Sequence, residues 1–142
     1  MSKLILKIND TAMVAVLHED KAPNTCRALT QLMPLQGHVM QTRWSGEAMW
    51  MPLPELTLEM AFENHTCYPA KGELLYYPGF ISVREILIPY GASIFGSKVG
   101  LLPGNHFATI TEGMDALETL GEQAAWEGAR PIVIRPADSS EG

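Results

Sequence analysis

Four side chains able to recognise a ligand fall close together in HVMQTRWSGEAMWMPLP, His38–Pro54: Arg43, Trp44, Glu47 and Trp50. A guanidinium presents a rigid fork of donors that suits a carboxylate or a carbonyl. A carboxylate beside it would orient that fork, or act as an acid or base if burial raised its pKa. The same two residues, placed across a tight turn at Ser45 and Gly46, equally describe a structural ion pair at a barrel mouth. The two indoles offer large rigid faces, one expected in the core and the other on a pocket floor. Strand alternation puts Trp44 opposite Arg43 and so towards the core, which leaves Trp50 for the pocket.

Tyrosines extend the set. Tyr76 and Tyr77 in KGELLYYPGF point to opposite faces of a strand, so one hydroxyl is expected at a rim or pocket. Tyr90, between Pro89 and Gly91, is expected on a loop where backbone can approach a ligand closely. The plainer reading of either is a hydroxyl that ties down a loop. The candidate ligand-binding set is therefore Arg43, Glu47, Trp50, Tyr77 and Tyr90, with Arg43 and Glu47 the only candidates for catalysis.

Other chemistry-bearing residues do not assemble into a motif. His18, His38, His65 and His106 are scattered along the chain. His65 and Cys67 could share one side of a strand, but no third or fourth ligand accompanies them, so no metal and no cofactor is expected. Ser45 lacks the nucleophile-elbow pattern, and neither Cys26 nor Cys67 lies in a nucleophile signature. The glycines of GASIFGSKVG follow neither dinucleotide nor P-loop spacing.

These residues must be positioned by a mostly β chain. KLILKI and AMVAVL read as two strands about a turn at Asn9–Thr11. Cys26, Leu29 and Met33 then recur at helical spacing, with Pro23 at the first helical position and Pro34 ending the helix. Strands are expected at 39–44, 48–51, 73–77, 83–88 and 107–110, punctuated by Pro and Gly. A second helix carries Leu117, Leu120, Gly121 and Ala124 on one face. RPIVIR closes the fold, and residues 137–142 read as a fraying tail after a single domain over 1–136. With no βαβ alternation, this order predicts a mainly β fold: a closed barrel of about eight antiparallel strands with two capping α-helices.

Composition narrows the partners. The 142 residues carry a formal net charge of -6 and no basic run, which disfavours nucleic acid and anionic membrane surfaces. Lys7, Asn9 and Asp10 interrupt the apolar start before it could act as a signal segment, and no stretch approaches a membrane span. Two cysteines without metal-type spacing suit reduced thiols in a cytoplasmic protein.

The order of elements, with KAPNTCRALTQLMP after the second strand, resembles the cyclophilin barrel. More closely, PLQGHVMQTRWSGEAMWMPLP followed by KGELLYYPG and EILIPYG is similar to a family of bacterial cyclophilin-like proteins of unknown function. The matching residues are Pro34–Gly37, Arg43–Glu47, Lys71–Gly79 and Glu85–Gly91, and the resemblance spans Lys3 to Arg135. It implies the cyclophilin-like fold, with Arg43 matching the arginine of the isomerases. The Phe-Met pocket and the Gln-Gly-Gly-Asp segment of those enzymes are missing here, which disfavours prolyl isomerisation.

Three functions compete. The first is a protein that binds a small molecule or short peptide on the barrel near Arg43. The second is a peptidyl-prolyl isomerase. The third is a non-catalytic module that self-associates into a homo-oligomer, motivated by eight methionines, of which Met40, Met49 and Met51 lie near the tryptophans. Core packing is the plainer reading of those methionines.

Overall fold

The chain opens with a hairpin of β1 (Lys3–Ile8) and β2 (Thr11–Leu17), in which Ile8 pairs with Thr11 across Asn9 and Asp10. Asn9 takes a φ of 53°, a left-handed conformation that asparagine tolerates well and that two-residue hairpin turns use. In the computed structural model, residues 2–138 and 140–141 are described.

Helix α1 (Pro23–Gln31) begins with proline, as expected, and buries Thr25, Cys26 and Leu29. Its N-cap residue, Ala22, has no side-chain oxygen to offer. A distant carboxylate substitutes: Glu63 accepts the Thr25 backbone N–H and the Thr25 hydroxyl, each at 2.7 Å. A negative charge there also complements the positive end of the helix dipole. Asn105 completes the junction, accepting from the Glu63 N–H and donating to the Thr25 hydroxyl oxygen.

The remaining strands are β3 (Leu35–Gln41), β4 (Gly46–Pro52), β5 (His65–Thr66), β6 (Glu73–Tyr77), β7 (Glu85–Ser93), β8 (Gly96–Ser97), β9 (Gly100–Leu101), β10 (Gly104–Glu112) and β11 (Arg130–Pro136). Helix α2 (Met114–Glu127) precedes the last of them. Eight strands pair in the order β2-β1-β11-β3-β4-β7-β6-β10, and β10 returns to β2. Every ladder is antiparallel. The protein is thus mainly β, a closed eight-stranded antiparallel barrel with two helices. Closure leaves no long edge exposed. Strand β5 adds to one end of β10, and β8 with β9 forms a small separate hairpin.

Several boundaries differ from expectation. Strand β3 stops at Gln41 rather than Trp44, because the N–H groups of Ser45 and Gly46 both bond the Thr42 carbonyl and fold 42–46 into a turn. Strand β7 continues through Pro89 to Ser93, where a proline would ordinarily end pairing. A register shift beside the Ala48–Pro89 pair accommodates it. Strand β10 is nine residues long and carries two register shifts, between His106 and Ala108 and between Ile110 and Glu112. Such bulges bend a strand, which lets β10 serve both β6 and β2 and close the barrel. Residues 53–64 are irregular, and Leu53, Leu56, Leu58 and Met60 lie partly buried against the core.

The barrel interior is aliphatic, with Phe107, Tyr76, Met13, Met49 and Met51 among its largest buried members. Met49 and Met51 point inwards, which removes them from any surface that could self-associate. Helix α2 buries Leu117, Leu120, Gly121 and Ala124, the four residues that helical spacing assigns to one face. Gly121 is required by Tyr90: a Cβ at this position would stand 2.2 Å from the ring. Among the described residues no helix is long and apolar enough to cross a membrane. Of the tail expected at 137–142, Ser139 and Gly142 lie outside the described residues, whereas Glu141 accepts from the Arg135 guanidinium at 2.6 Å.

Candidate functional site

The outer face of the barrel, at the β4–β7–β6 ladders, carries a second apolar cluster. Trp50 pairs with Leu87 and Pro52 with Glu85 across β4 and β7; Leu75 pairs with Leu87 and Tyr77 with Glu85 across β6 and β7. Because alternate residues share a face, Trp50, Leu75, Tyr77, Glu85 and Leu87 all point away from the interior. The excursion between β7 and β10 folds back over them. Its Phe95 packs edge-on against Tyr77, ring centroids 6.0 Å apart, and Leu102 joins the same cluster. Gly104 makes this cover fit, since a Cβ there would stand 2.7 Å from the Phe95 ring.

The cover is incomplete. Between it and the sheet lies a cavity of about 460 Å³, within the range of small-molecule sites. Trp44 and Trp50 form adjoining walls, edge-to-face at an interplanar angle of 75° with centroids 6.1 Å apart. Ile81 and Val83 line one side, the β8–β9 hairpin with Ser97, Lys98 and Val99 the other, and Glu85 is part of the lining. Polar ties hold both rims. Ser45 accepts from the Gly96 N–H at 3.1 Å and donates to the Gly96 carbonyl at 3.2 Å, joining the Trp44 turn to the hairpin. Tyr77 accepts the Ile81 N–H at 3.1 Å, fixing the opposite rim.

Glu85 is the electrostatic anomaly of this site. It is 6% exposed, and no hydrogen bond or ion pair among the described residues meets its carboxyl. Burial alone pushes its pKa up to about 8, because desolvation penalises the charged form. Near neutral pH it is therefore mostly a neutral acid, able to donate a hydrogen bond or to ionise when a cation approaches. Its neighbour Arg84 does not neutralise it: the Arg84 Nε donates to the Leu58 carbonyl at 3.2 Å. A wider concavity of about 670 Å³ lies on that side, between Glu59, Phe80 and Arg84, with no buried unpartnered group in its lining.

The five residues expected to form one site do not converge. Trp50 lines the cavity, and Tyr77 lies beneath it as a tie for its rim. Trp44, expected in the core, is 59% exposed and shares the cavity with Trp50, because the chain leaves β3 at Gln41 and the alternation argument ends there. Arg43 is exposed in the turn and donates to the Ala125 carbonyl at 3.3 Å, in the last turn of α2, where a cation suits the negative helix end. Glu47 accepts the Ala92 N–H at 3.0 Å. The expected Arg43–Glu47 pair is not formed, since each side chain is held by a different backbone group. Tyr90 is not on a loop but within β7, buried against Gly121, its hydroxyl accepting from Gln41 at 3.2 Å.

Glu85 has a single signal in the sequence, a carboxylate opening the apolar run EILIPY. The histidines are scattered along the chain, yet His18 and His106 meet on the outer face beside β10. Each ring contacts the Thr109 hydroxyl through Nε2, at 2.7 and 2.8 Å, with ring centroids 4.6 Å apart. Burial lowers the His106 pKa, aided by His18 and opposed by Glu73 at 3.9 Å. Both cysteines are free; Cys26 donates to the Phe107 carbonyl, and burial pushes its thiol up to about 12, leaving it inert. Among the described residues no three His, Cys, Asp or Glu side chains converge as a metal site.

Comparison with known proteins identifies the family. Residues 4–135 match the family described as Protein of unknown function (DUF3830), and the chain belongs to it. No curated protein matches the sequence. Among solved structures, one described as McbB in complex with tryptophan is similar with a TM-score of 0.70 and 18% identity, over 98% of this chain and 45% of McbB. The chain thus spans less than half the length of McbB. The hypothetical protein AF2241 from Archaeoglobus fulgidus is similar with a TM-score of 0.65 and 15% identity, over 96% of this chain and 95% of its own. At these identities the likeness concerns the fold.

Proposed function

We propose that this member of the family of unknown function binds a small organic molecule in the outer-face cavity walled by Trp44 and Trp50, with Glu85 as its polar anchor. The observation that carries this reading is the unpartnered, buried carboxyl lining an aromatic cavity. Desolvating such a group is costly, and a ligand that bonds to it from the cavity offsets part of that cost. A similar barrel, McbB, has been solved with tryptophan, a small molecule with an aromatic face; this supports the reading by analogy of fold. Within the reading Trp50 contacts the ligand, Tyr77 holds the rim, and Arg43 anchors the Trp44 turn to α2. Glu47 and Tyr90 brace the sheet behind it.

The cyclophilin-like relationship belongs to the same reading, supported by the element order and by KAPNTCRALTQLMP. Prolyl isomerisation gains no support from Arg43, which is bound to a helix end outside the cavity lining.

The test is a thermal-shift screen of small metabolites against wild type, Trp50→Ala and Glu85→Gln. A ligand at a hundredfold excess over its Kd adds about 2.7 kcal/mol, which in a domain of this size raises Tm by roughly 5–10 °C. Wild type is expected to shift and both variants to lose most of the shift. Hits that stabilise all three proteins equally would place the binding site elsewhere.

A further inference from the structure

Resting on that cavity, we infer that the ligand it accepts is an amine, bound as an ammonium between the Glu85 carboxylate and the Trp44–Trp50 walls, with an apolar or aromatic body filling the remainder. Three features converge on this class. Two indoles set nearly at right angles line one space, and aromatic surface of this kind attracts organic cations. The buried carboxyl of Glu85 lines that same space and has no partner of its own. The protein's formal net charge of -6 favours the approach of cations over anions.

The groups facing Glu85 from each neighbouring element are few. Strand β4 contributes Trp50 and Pro52, which carry no charge. Strand β6 contributes Tyr77, whose hydroxyl oxygen already accepts the Ile81 N–H. The rim before β7 contributes Ser82, and the hairpin contributes Ser97, which donates to the Gly100 carbonyl, and Lys98. Lys98 is the one cation in the lining, and it would favour an anionic ligand. It is exposed at the hairpin tip, however, where water and salt screen its charge, whereas Glu85 is largely buried. The buried carboxyl, which ionises against the ammonium, decides.

The proton balance follows from the chemistry. Glu85 enters the complex protonated and the amine enters as its ammonium; the carboxyl releases its proton to solvent, and an ammonium N–H takes up the hydrogen bond to the carboxylate. Binding near neutral pH releases close to one proton for each amine bound. Nothing is oxidised and no covalent bond between protein and ligand forms.

Titration calorimetry of the full chain tests this with three probes of one shape: 2-phenylethylamine, 2-phenylethanol and 3-phenylpropionate. Runs at pH 7 in phosphate and in Tris report proton release from the difference in heat. The amine is expected to bind wild type at least about tenfold more tightly than the other two, with close to one proton released. Glu85→Gln should abolish both the preference and the release. Equal binding of all three probes, lost in Trp50→Ala, would leave the cavity reading intact and overturn the amine. Tightest binding by the propionate would overturn it in favour of Lys98. No binding of any probe up to about 10 mM, a generous limit for ligands of roughly nine to eleven heavy atoms, would overturn both readings. Glu85→Gln is nearly isosteric, and an unchanged or raised Tm certifies that the variant is folded.

Discussion

The barrel interior and the outer-face cluster use the same strands and reach opposite ends. On β7, Ile86, Ile88 and Tyr90 face inwards, into a space filled from every side and closed by residues of both helices. Glu85 and Leu87 face outwards, where the excursion carrying Phe95 and Leu102 folds back over the sheet. Among the described residues Glu85 is the one buried Asp, Glu, His, Lys or Arg, and it lies on the outer face beside an unfilled space. A closed barrel can fill its interior because eight strands converge on it. A single folded-back excursion cannot cover the outer face completely, and the gap it leaves is where a ligand can act.

The contrast can be broken most forcefully from inside. Phe107→Ala should cost about 3–5 kcal/mol of unfolding free energy by denaturant titration, because the packed interior cannot collapse around the void. Leu102→Ala, in the outer cluster, should cost closer to 2 kcal/mol. Equal losses would mean that the two regions form one core.

Glu85 sharpens the comparison through pH. Its folded pKa of about 8 lies above the ordinary 4.5, so the folded state holds the proton more tightly than the unfolded one. That stability is fully present below pH 4.5 and is lost as pH rises through 8. The slope should amount to a few kcal/mol, on the order of 4, between pH 4 and 9. Glu85→Gln should flatten it and leave the variant more stable than wild type at pH 9. A wild-type curve with no such slope would mean that the carboxyl finds a partner or water.

His106 should act in the opposite direction and more weakly. Its folded pKa is depressed, chiefly by burial, so the folded state binds its proton less readily than the unfolded one. Stability should fall as pH drops below 6.5, and His106→Gln should remove that loss. A histidine NMR titration showing His106 protonated at an ordinary pH would contradict it.

The smallest effect belongs to the residue that looked most chemical. Arg43→Ala removes one exposed contact to a helix end and should change stability by less than about 0.5 kcal/mol. Amine binding should persist in this variant, because the two Ser45–Gly96 bonds still hold the Trp44 turn. A large loss of binding would restore Arg43 to the site.

Much of the fold was legible in local pattern. The faces of α1 and α2, the opening hairpin, β6 and the last strand follow from periodicities of 3.6 and 2, with proline and glycine as punctuation. The long β stretch was harder. In β7 all six residues from Glu85 to Tyr90 are buried, so alternation leaves no trace, and Pro89 within it imitates a strand end. Residue type alone marks Trp50. Alternation misplaces Trp44, because a turn at Thr42–Gly46 interrupts the strand that would set its face.

The sequence by itself determined a closed antiparallel barrel, its two helices and an acidic surface, because these depend on composition and on neighbours within a few residues. Only the folded arrangement brings Glu85 to the tryptophans, His18 to His106 and Arg43 to a helix end. Those meetings depend on strand register and on one excursion folding back across the sheet, and such long-range contacts leave no periodic signature in the chain.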